Sequence, residues 1–412
     1  AMKKIILLFI IVFTSCKETT NNSLHQIKSN SIIEKKDNSL KLNKVVITGT
    51  TDDKTAFEYL NIMNRTYLFA RTHLDVTKEI ISDSLHMVLN SIDKPLFSEI
   101  VTGGDKAFYR GFIFLIPGDT ISVKIKDGKM IFFGKNAIEN NYYSEMDRQT
   151  PEYQKNPYLG NLNIYKESIK SIYNKRIDFL NQYVKSNNIQ SKLFINTIKT
   201  NLKHEYLFSL INPVNVKSRI EGHYYNEFDG LMPIIQKETT QNSELIFDLY
   251  DYFGEIPIKE FKDVIALNNS SYFKDNINQY IRYYFLGSKH LAYSKEKFLA
   301  EKKFIQKNFI GETENYAIAR MIRDYHLKGF GNSLSTIELL KNSIDEYEDK
   351  FAKPSYIDFM KGIKEDLESY DFELRESALN SKFINIYGDT LTLKKIFARS
   401  NNRIKVVDFW AT

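Results

Sequence analysis

The spacing of apolar residues changes once along the body of this chain, near residue 136. Upstream of that point, apolar and polar residues alternate. The clearest case is Ile121, Val123 and Ile125, which are separated by single polar residues. This two-residue period is typical of a strand with one buried face. We therefore expect residues 44–135 to form a small antiparallel β-sandwich.

Downstream, residues 136–372 have the three-to-four-residue period of helices. The apolar stripes are Tyr165, Ile169, Ile172, Tyr173, Leu180 and Val184, then Ile277, Tyr280, Ile281, Tyr284 and Phe285, then Leu334, Ile337, Leu340, Ile344, Tyr347 and Phe351. Ser335 and Glu338 have capping-box spacing, and Pro354 suits the first turn of a following helix. None of the stripes keeps a heptad, so we expect a globular all-α region and not a coiled coil.

The chain begins with the features of an export signal. Lys3 and Lys4 precede an apolar run of nine residues, from Ile5 to Phe13. A helix that spans a bilayer needs about 20 apolar residues, so this run is too short to be one. A basic start followed by a short apolar centre is typical of a secretory signal, which we place at residues 1–15.

Cys16 is the only cysteine of the chain and follows this signal directly. The arrangement resembles a lipobox, although Phe13 stands where leucine is usual. It implies that Cys16 is acylated and anchors the protein to a membrane, with residues 16–43 as a flexible tether. Because no aspartate follows Cys16, we expect the anchored protein to lie on the outer membrane and to face the periplasm. Lys17-Glu18 resembles a surface-export signal, so exposure on the cell surface is the alternative location. The alternative is a plain cleaved signal followed by an incidental cysteine.

The last segment, residues 380–412, resembles the start of a thioredoxin-like domain. Gly388-Asp389 follows a short apolar run, and the chain ends on an apolar strand that closes with Phe409, Trp410 and Ala411. This ending resembles TlpA/ResA-type thiol–disulfide oxidoreductases, in which the same strand leads into Trp-Cys-x-x-Cys. The resemblance implies an incomplete C-terminal thioredoxin-like α/β domain. The whole chain is then multidomain α+β.

The activity that the resemblance implies depends on two cysteines outside this sequence. They would fall two and five positions beyond Thr412, so no catalytic residue can be assigned here and the chain as given is expected to be inactive. Its partners would be disulfide-bonded client proteins and an envelope electron donor, with no cofactor. One alternative is a non-enzymatic envelope lipoprotein that acts as a binding or assembly module. Another is a degenerate domain that has lost its cysteines.

Composition and motifs argue against other functions. The chain has 57 basic and 51 acidic residues, and this small excess is dispersed, so no basic block is dense enough to follow a nucleic acid backbone. A single cysteine allows no internal disulfide and no thiolate zinc site. No two histidines have the four-residue spacing of a helical zinc site, and we expect no metal. The histidines are His25, His73, His86, His204, His223, His290 and His326.

Two smaller patterns each allow two interpretations. Residues 280–285 place Arg282 among aromatic residues, which suits either ligand stacking or the core face of a helix, and we expect the core. Asp52 and Asp53 are adjacent, so their side chains do not face each other, and we expect both on the solvated surface.

Overall fold

The computed structural model describes residues 44–53, 55–64, 72–155, 158–159, 161–213, 249–287, 289–351, 354–369, 376–384 and 387–398. Within these ranges, nine strands come first, helices follow, and two short strands with a last helix end the described residues. Cys16, the tether, and the closing residues Phe409, Trp410 and Ala411 lie outside the described residues. Among the described helices, none combines the length and apolarity needed to cross a bilayer.

Two sheets form the strand region. The strands are β1 Val45–Thr51, β2 Asn61–Asn64, β3 Thr72–His73, β4 Val76–Ile81, β5 Ser84–Leu89, β6 Leu96–Gly103, β7 Phe108–Leu115, β8 Thr120–Lys126 and β9 Lys129–Phe133. The first sheet has the order β4-β5-β1-β8-β9, and the second has the order β3-β2-β6-β7. One apolar cluster contains residues of both sheets, so the two layers share a core.

The predicted sandwich differs from the structure in one strand pair. β1 and β8 are parallel, with Ile47 opposite Ile121, whereas every other described pair is antiparallel. The first sheet is therefore mixed. Between β1 and β8 the chain passes through the second sheet twice, at β2-β3 and at β6-β7, and β8 enters the first sheet in the direction of β1. The predicted burial of β8 is confirmed, since Ile121, Val123 and Ile125 are all buried.

Asp53 corrects the prediction that both acidic residues of the pair face solvent. Its side chain is 1% exposed. The carboxylate accepts hydrogen bonds from the backbone N–H groups of Asp105 and Lys106, both at 2.9 Å, and from the Tyr109 hydroxyl at 2.8 Å. Asp52 remains partly exposed and pairs with the Lys106 ammonium at 2.9 Å. Asp53 thus fixes the loop between β6 and β7.

The two adjacent glycines of this loop give a matched test. A Cβ at Gly104 would overlap the Asp53 carboxylate, whereas a Cβ at Gly103 would meet no atom within 4 Å. We expect Gly104→Ala to cost about 1–3 kcal/mol of unfolding free energy, because the loop must move away from its acceptor. Gly103→Ala should change it by less than about 1 kcal/mol. Urea denaturation measures both, and equal effects would contradict the assignment.

The helices follow the sandwich. They are α1 Ala137–Gln149, α2 Leu162–Ser186, α3 Lys192–Ile211, α4 Leu249–Phe253, α5 Val264–Asn269, α6 Ser271–Tyr280, α7 Lys295–Asn308, α8 Gly311–Leu327, α9 Leu334–Glu348, α10 Pro354–Ser369, α11 Glu376–Leu379 and α12 Leu393–Ala398. A π-helical turn, Ile281–Phe285, continues α6. The predicted helical region and the start of α10 at Pro354 are confirmed. The predicted capping box is wrong, because Ser333 is the N-cap residue of α9 and Ser335 lies inside the helix.

The sandwich and the first helices are packed together. Phe97 and Phe114 of the second sheet share an apolar cluster with Tyr142 of α1 and Phe194 of α3. The Asn140 side chain of α1 accepts a hydrogen bond from the Phe114 N–H at 2.9 Å. Apolar contact and a polar tie therefore hold α1 and α3 against the strand region.

Candidate functional site

The structure reaches the C-terminal segment as far as Ala398. There β10, Lys382–Ile384, pairs antiparallel with β11, Thr390–Thr392, and α12 follows at once. Gly388 lies between the strands with φ of 86°, a conformation that glycine adopts without strain. Leu393 is buried, whereas Ile384 and Tyr387 are 75% and 81% exposed. The hairpin and helix thus keep little of their apolar surface covered.

A polar groove runs along α3 in the helical region. It consists of two adjoining cavities of about 230 Å³ and 490 Å³, which share Lys199, Thr200 and Asp263 in their walls. We call this pair of cavities the α3 groove. Asn201 lines the first cavity, and His204 lines the second.

Helix geometry explains why these side chains meet at the groove. Thr197, Asn201 and His204 are spaced four and three residues apart, so they share one face of α3. All three are buried, with exposures of 4%, 4% and 2%. These polar residues interrupt the mostly apolar buried face of α3. The spacing is visible in the sequence, but the burial of these three residues is not.

The opposite wall comes from α5. The Asp263 carboxylate caps this helix by accepting hydrogen bonds from the N–H groups of Ile265 at 2.8 Å and Ala266 at 3.2 Å. At the other end of α5, the Asn269 side chain accepts a hydrogen bond from the Phe97 N–H of β6 at 3.1 Å. The groove wall is therefore tied directly to the sandwich.

The groove contains buried polar atoms that have no partner among the described residues. They are both amide atoms of Asn201 and the Nδ1 atom of His204. Asn276 leaves its Oδ1 atom unpaired in the same way, although its Nδ2 atom donates to the His204 carbonyl at 2.7 Å. Each unpaired buried group costs about 1–3 kcal/mol, so such groups are rare in folded proteins. Either an ordered water or a bound ligand would satisfy such atoms.

His204 is neutral at physiological pH. Burial lowers its pKa to about 3, the nearby Lys203 ammonium adds to this effect, and a hydrogen bond to the Glu260 backbone opposes it. The ring also packs edge-on against Phe261 and Phe273, with centroid distances of 5.6 and 4.8 Å. The Nδ1 atom of the ring has no partner among the described residues. No group of three metal-ligating side chains occurs within the described ranges.

The Arg282 segment has the predicted core role. Arg282 is fully buried, and its guanidinium donates to the Glu301 carboxylate at 2.8 and 3.1 Å. It also lies 4.6 Å from the centroid of the Tyr293 ring, and Asp324 lies 3.6 Å from its Nη2 atom. Burial excludes a stacked ligand at this position. The sequence pattern did not reveal Glu301 and Asp324 as partners.

Comparisons with known proteins add no assignment. No protein-family model, no curated protein and no solved structure matches this chain.

Proposed function

We propose that this chain belongs to a membrane-anchored envelope thiol–disulfide oxidoreductase of the TlpA/ResA type. The observation that carries the proposal is the order of elements before Phe409-Trp410-Ala411. A short strand, a turn at Gly388, a second strand and a helix precede these residues. The resemblance predicts the same order of strand, glycine turn and leucine-containing segment ahead of the active-site strand. The sandwich and the helices would then hold the thioredoxin-like domain away from the membrane.

The proposed reaction requires a cysteine pair that follows the closing strand. The first cysteine would lie at a helix N-terminus, where the helix dipole favours the thiolate. That thiolate attacks a client disulfide, forms a mixed disulfide and releases one client thiolate. The second cysteine then attacks the mixed disulfide, which releases the reduced client and leaves the domain oxidised. An envelope electron donor returns the domain to its dithiol form.

The proposed location follows from Cys16. Acylation of the Cys16 thiol and of its new amino terminus would supply the two or more acyl chains that stable membrane anchoring needs. Residues 16–43 would then extend from the outer membrane to the sandwich. The partners are the membrane, client proteins and the electron donor, and nucleic acid is not among them.

A second candidate is a binding module without catalysis. The α3 groove favours it, because the buried polar atoms of Asn201 and His204 lack partners within the described part of the chain. A groove of this kind also suits the first candidate, in which the helical region would hold a client near the dithiol. Activity and binding can therefore be tested separately.

Insulin reduction tests the oxidoreductase proposal. The protein encoded by the whole reading frame is expected to turn over insulin disulfides, whereas residues 16–412 alone should not, because they contain no dithiol. Replacing the first cysteine of the pair by serine should abolish turnover, and replacing the second should trap a mixed disulfide. Cys16→Ser is the control. It removes the lipid attachment site, so the variant should keep its turnover of insulin but should no longer be found in the membrane fraction. An inert whole-frame protein would contradict the proposal.

A further inference from the structure

We propose that the α3 groove binds the main chain of an extended peptide, with the Asn201 amide paired to a peptide N–H and C=O. This inference deepens the binding function proposed for the groove and rests on it. It does not depend on the dithiol. The partner is defined by its chemistry, namely an unfolded or extended segment of another protein with free main-chain amides.

The hydrogen-bonding groups of the Asn201 side-chain amide are complementary to those of a peptide main chain. The Asn201 side chain offers one acceptor oxygen and a donor nitrogen in one plane, and neither has a partner among the described residues. A carboxylate or phosphate offers acceptors only, and an ammonium offers donors only, so each would leave one atom of Asn201 unpaired. One residue of an extended peptide presents its own N–H and C=O on the same side of the chain, so it can pair with both atoms of the Asn201 amide.

His204 supplies a second contact at a suitable distance. Asn201 and His204 are three residues apart on α3, a spacing at which Cβ atoms on a helix lie about 5–6 Å apart. Main-chain groups on one side of an extended peptide repeat about every 6.6 Å, since each residue advances about 3.3 Å. A peptide that pairs with Asn201 can therefore offer another N–H to the Nδ1 atom of His204.

The charges of the groove do not favour an ionic ligand. Lys199 and Lys203 of α3 and Lys259 stand among the lining residues together with Glu260 and Asp263. Because both signs are represented, neither a simple anion nor a simple cation is selected. The neutral main chain of a peptide fits this mixture.

The size of the first cavity also limits the ligand. Its volume of about 230 Å³ is below the roughly 300–1,000 Å³ that is usual for cofactor and drug-sized sites, whereas the second cavity, at about 490 Å³, lies within that range. Ile265 and Ala266 give it an apolar wall suited to one side chain. Asn201 lines this cavity and is 4% exposed in the free chain.

The first test compares two buried asparagines by thermal unfolding of the full chain. Asn201→Leu replaces an unpaired polar group by an apolar one of similar size, so the Tm should rise by about 2 °C or more. Asn140→Leu is the matched control, because Asn140 is equally buried but accepts the Phe114 N–H. Its Tm should fall. A fall in both variants would show that Asn201 already has an internal partner and would overturn the inference.

The second test follows the Asn201 side-chain amide resonance in the ¹⁵N-labelled full chain. The resonance is assigned by its absence from Asn201→Leu. The probe is acetyl-tetra-alanine amide at millimolar concentration, and it should shift this resonance saturably while leaving that of Asn140 unchanged. Free glutamine, which carries a primary carboxamide and no peptide bond, is the second probe.

The outcomes separate the two levels of the proposal. A saturable shift with the peptide and none with glutamine supports main-chain binding. A shift with glutamine alone overturns the peptide assignment but leaves a binding function for the groove. If neither probe shifts the resonance, both the peptide assignment and the binding function of the groove are overturned. None of these outcomes bears on insulin reduction by the protein that the whole reading frame encodes.

Discussion

Glu301→Leu is expected to lower the free energy of unfolding by about 3–5 kcal/mol, because it leaves the buried Arg282 guanidinium without its main partner. Both side chains are fully buried, and two hydrogen bonds join them. The Tyr325 hydroxyl donates to the same carboxylate at 2.8 Å and would also lose its acceptor. Burial acts to lower the pKa of Arg282. The negative charges of Glu301 and Asp324 have the larger opposite effect, so the pKa of Arg282 is raised.

The double variant tests whether the unpaired charge is the cause. Arg282→Met combined with Glu301→Leu removes both charges and should recover most of the loss, since apolar replacements of similar volume are tolerated in such positions. Asp324 keeps Arg320 as a partner at 2.8 Å. Asp345→Asn, which breaks the exposed pair with Lys364, should cost less than about 1 kcal/mol. A double variant as unstable as Glu301→Leu would contradict the explanation.

Asp53→Ala should cost about 3 kcal/mol or more, because it removes one acceptor from several donors at once. The N–H groups of Asp105 and Lys106 and the Tyr109 hydroxyl would all lose their partner. Asp53→Asn keeps one acceptor oxygen and should lose less. Asp52→Asn is the control, and it should leave the urea unfolding transition nearly unchanged. A large loss in the control would show that the loop depends on overall charge and not on the buried carboxylate.

The same site predicts a dependence of stability on pH. Burial acts to raise the pKa of Asp53, but hydrogen bonds from the Lys106 backbone, the Tyr109 hydroxyl and the Asp105 backbone outweigh it and lower the pKa. Because the unfolded chain then binds this proton more readily, the stabilisation is complete above the unfolded value of about 3.9 and is lost as pH falls through the folded pKa. Unfolding free energies of Asp53→Asn should therefore fall less steeply than those of the wild type below about pH 5.

The local features of the fold were predictable from the sequence. The alternation along β8 and the apolar stripes of the helices are patterns among residues that are close in sequence. The structure contains both the half-buried strand and the helices with a buried face. The parallel pairing of β1 with β8 was not predictable, because it depends on the route of the chain through the second sheet. The N-cap of α9 was misplaced by two residues, which is the usual difficulty with helix ends.

The interactions between distant residues were not visible in the sequence. Asp53 meets donors more than 50 residues away, and Arg282 meets Glu301 across two separate helical elements. Adjacent acidic residues look alike in a sequence, although burial separates Asp52 from Asp53. Asn201 and His204 carried a weak local signal as polar residues spaced like the apolar residues of α3. That the Asn201 amide and the Nδ1 atom of His204 have no partner among the described residues could be established only in three dimensions.

The codons that follow Thr412 in the natural reading frame test the central claim most directly. The thioredoxin-like assignment predicts tryptophan next, with cysteines two and five positions beyond Thr412. Continued helix and strand periodicity should then complete the α/β domain. A stop codon directly after Thr412 would contradict the oxidoreductase proposal. So would a continuing frame in which neither of these two positions encodes cysteine.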